Sequence, residues 1–373
     1  MKPTGAIDEC FMSRALERAQ QAWGQTHPNP MVGAVIVENG EIVAEGWHCA
    51  AGQDHAEVAA LKALGRKPSA GASIYVTLEP CSTCGRTGAC TDAIIEAGIT
   101  RVVVGAQDPN PVHAGRGLNI LREAGIEVVE GVLSAECTDL NLIFNHWITQ
   151  NTPFIAAKMA ITLDGKFAAA SGHSQWVTGE LARADVMRWR RYFPAIAVSA
   201  ATVLQDDPSL TSRIGQAVWC PKRFVFDREL KTLDSTPLPQ IYTDAYAGNT
   251  IVLCSEAAAT ESKEQAEQCG LTLWPLPEIN DHLDWNAFRM RCVQAGICGV
   301  YVEVGPALAT GLIEGQLADY LFIYQAPKLM SDASSPGIGS FRNSQSMDEV
   351  FSLRDLRFAS LGDDRLTRGF LKA

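Results

Sequence analysis

Apolar positions along the first 150 residues alternate between two periods. Met12, Ala15, Leu16, Ala19 and Trp23 recur at helical spacing and predict an amphipathic helix. Val32–Val37 and Ile42–Glu45 read as strands on either side of Asn39-Gly40, a strong hairpin turn. A short helix is expected to begin near His55, with Asp54 as its N-cap and Val58, Ala59, Leu61, Ala63 and Leu64 supplying apolar positions. Ser73–Leu78 reads as a buried strand ending at Glu79-Pro80, and a further helix is expected to start between Cys81 and Cys90. Arg101–Ala106 is a strand, Leu118–Ala124 a helix stopped at Gly125, and Ile126–Val129 a short strand.

The pattern then breaks and restarts. After the segment Leu140–Trp147, the polar run Gln150-Asn151-Thr152-Pro153 marks a boundary, which predicts an α/β layered domain over residues 1–150 and a second domain over 151–373. Phe154–Ile161, Ala195–Ser199, Arg223–Asp227, Thr250–Cys254, Gly299–Val304 and Tyr320–Ala326 read as strands, with helical stretches near Glu180–Tyr192 and Ala307–Glu314. Such alternation implies a mostly parallel sheet with helices on its faces, whose ligands gather outside the carboxyl ends of the strands. Ser331–Met347 reads as a surface loop.

Composition narrows the function. The chain has 373 residues, 47% of them hydrophobic, enough for two cores. A net charge of −11 argues against a general nucleic-acid binder. No run approaches the ~18 apolar residues of a membrane span, and Met1-Lys2-Pro3-Thr4-Gly5 lacks a signal-peptide apolar region, so a cytoplasmic protein is expected. Eleven cysteines, an odd number, fit a reducing compartment. Cys10, Cys49, Cys137, Cys220, Cys254, Cys269, Cys292 and Cys298 read as packing residues.

The remaining three thiols carry chemistry. His55-Ala56-Glu57, then Pro80-Cys81, then Cys84 and Cys90 make up the residue set that hydrolytic removal of an aromatic amine requires. One imidazole and two thiolates fill three tetrahedral positions of Zn²⁺ and leave the fourth for water. Glu57 is then free to move protons rather than bind metal. Taken singly, a buried His or Cys is usually packing; the combined order reverses that reading. Spacing alone leaves open whether Cys84 or Cys90 completes the set.

Longer motifs extend the pattern: His27-Pro28-Asn29-Pro30-Met31-Val32-Gly33, Thr77-Leu78-Glu79-Pro80-Cys81-Ser82-Thr83-Cys84-Gly85-Arg86-Thr87-Gly88-Ala89-Cys90, Asp108-Pro109-Asn110-Pro111 and Gly115-Arg116-Gly117. The second half carries Lys158-Met159-Ala160-Ile161-Thr162-Leu163-Asp164-Gly165, Ser174-Gln175-Trp176-Val177-Thr178-Gly179, Asp206-Asp207-Pro208-Ser209-Leu210-Thr211 and Glu303-Val304-Gly305-Pro306. In this order they resemble the bifunctional riboflavin biosynthesis deaminase/reductase family over almost the whole chain. The resemblance implies a cytidine-deaminase-like α/β/α domain, then a dihydrofolate-reductase-like α/β domain. It implies zinc-dependent deamination of a diaminopyrimidine bearing a ribosylamino 5-phosphate, then NADPH-dependent reduction of the ribosyl chain to ribityl.

By the same resemblance zinc is held by His55, Cys81 and Cys90, and Glu57 is catalytic. The family loop usually has His at position 84 and two prolines at 88 and 89, where this chain has Cys84, Gly88 and Ala89. Cys84 restores the shorter Pro-Cys-x-x-Cys spacing of cytidine and transfer-RNA adenosine deaminases. Cofactor contacts fall on Ala160, Trp176, Thr202, Asp206, Gly305, Pro306 and Leu308, and substrate contacts on Asn29, Lys158, Ser174, Arg190, Leu210, Arg213 and Glu303. Arg190 and Arg213 suit the sugar phosphate chemically, because a guanidinium fork matches its oxygens. No Gly-x-Gly-x-x-Gly follows a strand, so the cofactor assignment rests on the resemblance. The expected partner is a small pyrimidine ribosyl phosphate, with neither nucleic acid nor membrane; assembly into a homo-oligomer is left open. The competing readings are a nucleoside or transfer-RNA zinc deaminase with a non-catalytic C-terminal domain, and a non-enzymatic zinc-stabilised module.

Overall fold

The computed structural model describes residues 5–83, 88–339 and 344–372. The chain forms two compact units, Met1–Asn151 and Thr152–Ala373. Among the described residues no helix is long and apolar enough to cross a membrane.

The first unit runs α1 (Ala6–Ala19), β1 (Gly33–Glu38), β2 (Glu41–Trp47), α2 (Ala56–Leu64), β3 (Ser73–Leu78), α3 (Cys90–Ala97), β4 (Arg101–Ala106), α4 (Arg116–Glu123), β5 (Glu127–Glu130), α5 (Ser134–Leu140) and α6 (Leu142–Gln150). Its sheet has the order β2-β1-β3-β4-β5, antiparallel where β1 meets β2 and β3, parallel from β3 to β5. Ala34, Ile36, Ile74, Val76, Val102 and Val104 share a core with Ala56 and Ala60 of α2, Ile94 of α3 and Leu118 and Leu121 of α4. The alternate residues, Val35, Tyr75 and Val103, turn to the other face, where α1 packs with Met12, Ala15, Leu16 and Ala19 buried. The result is an α/β/α sandwich. Gly46 sets the spacing of one layer: a Cβ there would lie 2.3 Å from Ala60 N and 2.6 Å from Ala56 O, so glycine lets α2 rest directly on β2.

Two expectations are corrected here. Asp54 does not cap α2; His55 occupies the N-cap position in extended backbone, with no side-chain cap bond. The Asp54 carboxylate instead accepts from Lys62 Nζ at 2.9 and 2.7 Å, an ion pair that diverts it from the helix amides. Cys10 and Cys49 are exposed rather than packed, whereas Cys137, Cys254, Cys292 and Cys298 are buried.

The second unit begins with β6 (Phe154–Thr162), α7 (Glu180–Tyr192), β7 (Ala195–Ser199), α8 (Ala200–Asp206) and a small hairpin, β8 (Ser212–Ile214) and β9 (Ala217–Trp219). It continues with β10 (Lys222–Phe226), α9 (Gln240–Thr243), β11 (Thr250–Ser255), α10 (Glu256–Glu261), α11 (Lys263–Gln268), β12 (Thr272–Leu276) and a second hairpin, β13 (Glu278–Ile279) and β14 (His282–Leu283). The last elements are α12 (Trp285–Gln294), β15 (Gly299–Glu303), α13 (Pro306–Glu314), β16 (Tyr320–Ala326), β17 (Ser352–Leu361) and β18 (Asp364–Lys372). The large sheet has the order β12-β11-β10-β7-β15-β6-β16-β18-β17, parallel as far as β16 and closed by the antiparallel pair β18 and β17.

Side-chain alternation gives this sheet two different faces. Ile155, Ala157, Met159, Val300, Val302 and Leu321 join an aliphatic core with α12 and α13. On the other side Phe154, Tyr301, Tyr320 and Phe322 form an aromatic cluster with Trp189, Tyr192 and Phe193 at the end of α7. Lys158 and Glu303 fall on this second face and are Cα partners across β6 and β15. Residues 331–339 of the expected surface loop are held against the turn after β6 by an isolated bridge between Lys166 and Gly337. Residues 340–343 lie outside the described residues.

Candidate active sites

Three elements of the first unit converge on one point. His55 caps α2, Cys81 follows β3 after Pro80, and Cys90 opens α3. His55 Nδ1 lies 3.2 Å from Cys90 Sγ and 3.5 Å from Cys81 Sγ, and the three ligand atoms lie within 4.8 Å of one another. A tetrahedral ion with bonds of about 2.0 Å to nitrogen and 2.3 Å to sulfur would put nitrogen and sulfur roughly 3.5 Å apart, so the donor set and its spacing fit zinc. The Cys90 amide at the start of α3 points at Cys81 Sγ from 3.4 Å. Hydrogen bonding between the two thiols, aided by His55, pulls Cys81 down and, with burial, pushes Cys90 up, so the pair shares a proton that a bound metal would displace. Cys84, with Gly85, Arg86 and Thr87, lies outside the described residues.

Glu57 stands in the first turn of α2, only 3% exposed. Burial raises its carboxyl to about 7, with the Cys81 charge adding to the effect. Such a group exchanges protons near neutrality, which a carboxylate in water does not.

Two residues to which the sequence reading gives no role support this site. His48 is buried, and its Nδ1 lies 3.0 Å from the carbonyl of Asp54. A carbonyl only accepts, so Nδ1 carries the hydrogen and Nε2 accepts from Asn29 Nδ2 at 3.2 Å. That bond fixes the amide of Asn29 and leaves its Oδ1 as an acceptor. Glu79 is buried, and its carboxylate accepts from the amides of Gly115 (2.9 Å), Gly117 (2.9 Å) and Asp108 (3.2 Å). It therefore ties the strand end that carries Cys81 to the Asp108–Gly117 loop. Gly117 is required by contact: a Cβ would sit 2.2 Å from Pro80 O. Asp108 itself accepts from Asn110 N at 2.9 Å, and burial raises its carboxyl. A lone histidine and a carboxylate before proline carry no motif of their own, which is why periodicity and spacing passed over them.

In the second unit Glu303 ends β15, Lys158 and Ala160 lie on the adjacent β6, and Thr202 follows β7. Arg190 of α7 holds Glu303 through two bonds of 2.6 and 2.9 Å and donates to Thr211 O at 3.0 Å. Glu303 thus takes one edge of the Arg190 guanidinium. Burial pushes Glu303 up, but the charges of Arg190 and Lys158 overcome this and hold it below the usual carboxylate range. Burial also lowers Lys158, whose Nζ lies 5.9 Å from the Tyr324 ring centroid. Ala160 lies two residues along the same face of β6 and pairs with Tyr324.

The loop Asp207–Thr211 passes beside this cluster, with Leu210 buried at φ 52°. Arg223, fully buried, pins it by donating to Ser209 O at 2.9 Å. Arg213 is exposed on β8 and gives one bond of 3.2 Å to Ser209 Oγ. Thr202 and Asp206 lie on α8 directly after β7, and Gly305, Pro306 and Leu308 begin α13 after β15. Ser174 and Trp176 lie in the loop between β6 and α7; the Ser174 carbonyl accepts from Val177 N at 3.1 Å. Asn29 and the zinc cluster belong to the first unit, and the candidate residues from Lys158 to Leu308 to the second.

Comparison with known proteins agrees with this division. Residues 6–106 match the cytidine and deoxycytidylate deaminase zinc-binding region, and residues 153–365 match the RibD C-terminal domain. The chain is 44% identical to riboflavin biosynthesis protein RibD of Escherichia coli K12 over 339 residues, 87% of this chain and 89% of that one. It is 39% identical to RibD of Aquifex aeolicus over 358 residues, covering 96% and 97% of the two chains. Among solved structures, the diaminohydroxyphosphoribosylaminopyrimidine deaminase/5-amino-6-(5-phosphoribosylamino)uracil reductase of Thermotoga maritima matches with a TM-score of 0.79 at 34% identity, covering 98% of each chain. Acinetobacter baumannii RibD matches with a TM-score of 0.79 at 31% identity, covering 98% of this chain and 99% of that one.

A zinc-binding deaminase unit joined to a reductase unit defines a bifunctional enzyme, at once hydrolase and oxidoreductase. The chain belongs to the RibD family of riboflavin biosynthesis proteins. The match over residues 153–365 replaces the alternative of a non-catalytic C-terminal domain.

Proposed function

We propose that the first unit deaminates a diaminopyrimidine carrying a ribosylamino 5-phosphate, and that the second reduces the resulting aminouracil's ribosyl chain to ribityl with NADPH, both in the cytoplasm. The observation that carries the reading is the placement of buried Glu57 beside the His55, Cys81 and Cys90 cluster. Zinc held by these ligands supplies Lewis acidity toward water. Glu57 takes a proton from the attacking water and gives it to the ring nitrogen, then carries the proton of the hydroxyl now on the ring carbon to the amine, so that the C–N bond breaks, ammonia leaves and the carbonyl forms. Asn29, held by His48, offers Oδ1 to a donor on the pyrimidine edge. Glu79 keeps the Asp108–Gly117 loop and the Cys81 strand end in fixed relation.

In the second unit NADPH supplies hydride. Trp176, Thr202, Asp206, Ala160 and the Gly305–Leu308 turn frame its position. Lys158, half-buried and with a lowered pKa, would give its proton to the ring oxygen of the sugar as the bond from that oxygen to the anomeric carbon breaks and the carbon accepts hydride. Glu303, oriented by Arg190, accepts from sugar hydroxyls. Ser174 and Leu210 line the substrate side, and Arg213 meets the phosphate with the donors Ser209 does not use.

The test is mass analysis of products from the diaminopyrimidine ribosylamino phosphate. Without NADPH the product should show amine replaced by carbonyl; with NADPH it should gain two further hydrogens. Recovery of unaltered substrate from zinc-loaded protein would overturn the proposal, as would deamination of transfer RNA in its place.

A further inference from the structure

Trp176 is 63% exposed, unusual for an indole in a folded unit, and the backbone that carries it has little support of its own. Within the stretch Ser174–Gly179 before α7, the backbone amides make one turn bond, Val177 N to Ser174 O, and one bond to a side chain, Gly179 N to the Asp364 carboxylate at 2.6 Å. Three successive carbonyls in it are instead taken by cations from two other places. Lys328 Nζ donates to Trp176 O at 2.9 Å and to Val177 O at 2.8 Å. Arg183 of α7 donates to Thr178 O at 2.8 Å and lays its guanidinium 4.8 Å from the indole centroid.

Lys328 is itself anchored. Its carbonyl accepts from Leu163 N at 2.8 Å, and the Asp164 carboxylate accepts from Met330 N at 3.1 Å and Ser331 N at 2.8 Å. The segment after β16 is therefore bound to the turn after β6, and from that base one ammonium reaches the Trp176 loop. Arg183 covers one face of the indole, which leaves the other as a flat surface for a planar ring.

We propose that Lys328 is a positioning residue for the reductase: it fixes the Trp176 backbone so that the indole is preformed to stack on a ring of the nicotinamide cofactor. The inference rests on the reading of Trp176 as a cofactor contact. Lys328 touches neither substrate nor cofactor and acts on affinity. Without it the loop must be ordered by the cofactor, and that ordering is subtracted from binding.

The test uses the full-length, zinc-loaded protein. NADPH affinity is followed by reduced-nicotinamide fluorescence, and reductase kcat and KM are measured with the aminouracil substrate. Loss of two charge-assisted bonds in Lys328→Met should raise the Kd and KM for NADPH roughly tenfold, while kcat at saturating NADPH stays within about twofold. Lys328→Arg should recover most of the affinity, since its several N–H donors span two carbonyls, and circular dichroism with thermal melting reports that both variants are folded. If Lys328→Met does not fold, Lys328→Gln is judged by the same split. Trp176→Ala separates the two claims. Weakened NADPH binding in Trp176→Ala with unchanged binding in Lys328→Met overturns the positioning role; unchanged binding in Trp176→Ala overturns the cofactor reading beneath it. A fall in kcat matching the rise in KM, or no rescue by arginine, also overturns the proposal.

Discussion

At the scale of single residues the deaminase site separates holding metal from moving protons. Glu57 sits beside the ligands, yet the cluster of mutually close donor atoms among the described residues comprises His55, Cys81 and Cys90. Glu57→Gln keeps the size of the side chain and removes its proton exchange. Deamination should fall by about 10²–10⁴-fold or more while zinc content and reduction persist, as assays of the two steps and metal analysis would show. Loss of zinc in that variant would contradict the assignment. Cys90→Ser should deplete zinc far more than Cys84→Ser, because Cys90 is one of three converging ligands; the reverse ranking would assign the third position to Cys84. While spacing alone left Cys84 and Cys90 as rivals for the third position, His55, Cys81 and Glu57 were legible as candidates because a metal imposes residue types at fixed spacing. His48 and Glu79 were not, since each acts through backbone groups brought near only by folding: Asp54 O for one, the amides of Gly115 and Gly117 for the other.

Elements were legible where burial was one-sided or complete. Arg101–Ala106 and Tyr320–Ala326 are continuous apolar runs and form β4 and β16 at those bounds. The antiparallel pair β17 and β18 was missed. Arg354, Asp355 and Arg357 on the exposed edge strand and Arg365 and Arg368 on its neighbour hide the alternation, a pattern typical of sheet edges. Charge also fixes connections between elements. Glu38 at the end of β1 accepts from Arg66 at 2.9 and 2.7 Å, from Ser69 N at 2.8 Å and from Ser69 Oγ at 2.9 Å, securing the link between α2 and β3. These bonds, led by Arg66, lower its carboxyl from 4.5 to about 2. A lowered carboxylate stabilises the fold above its unfolded value and loses that contribution as pH falls through the folded one. The Tm difference between the natural chain and Glu38→Gln should therefore be full above about pH 5 and shrink toward pH 2. A difference that is constant across this range would show that the ion pair does not contribute.

For the whole molecule the argument concerns independence. Each unit has its own aliphatic core and its own sheet, and the division falls at Asn151 and Thr152, inside a polar run. The zinc ligands and Glu57 come from the first unit alone, and Lys158, Arg190 and Glu303 from the second. The residues named for each chemistry come from one unit, so each chemistry should survive separation. Expressed separately, residues 1–150 should bind zinc and deaminate without NADPH, and residues 152–373 should reduce the already deaminated compound with it. Circular dichroism establishes that each fragment is folded, and product mass identifies each step. Two folded fragments that remain inactive alone but regain activity on mixing would show that a site depends on the other unit. Two that stay inactive even when mixed would show that these clusters are not the reacting centres.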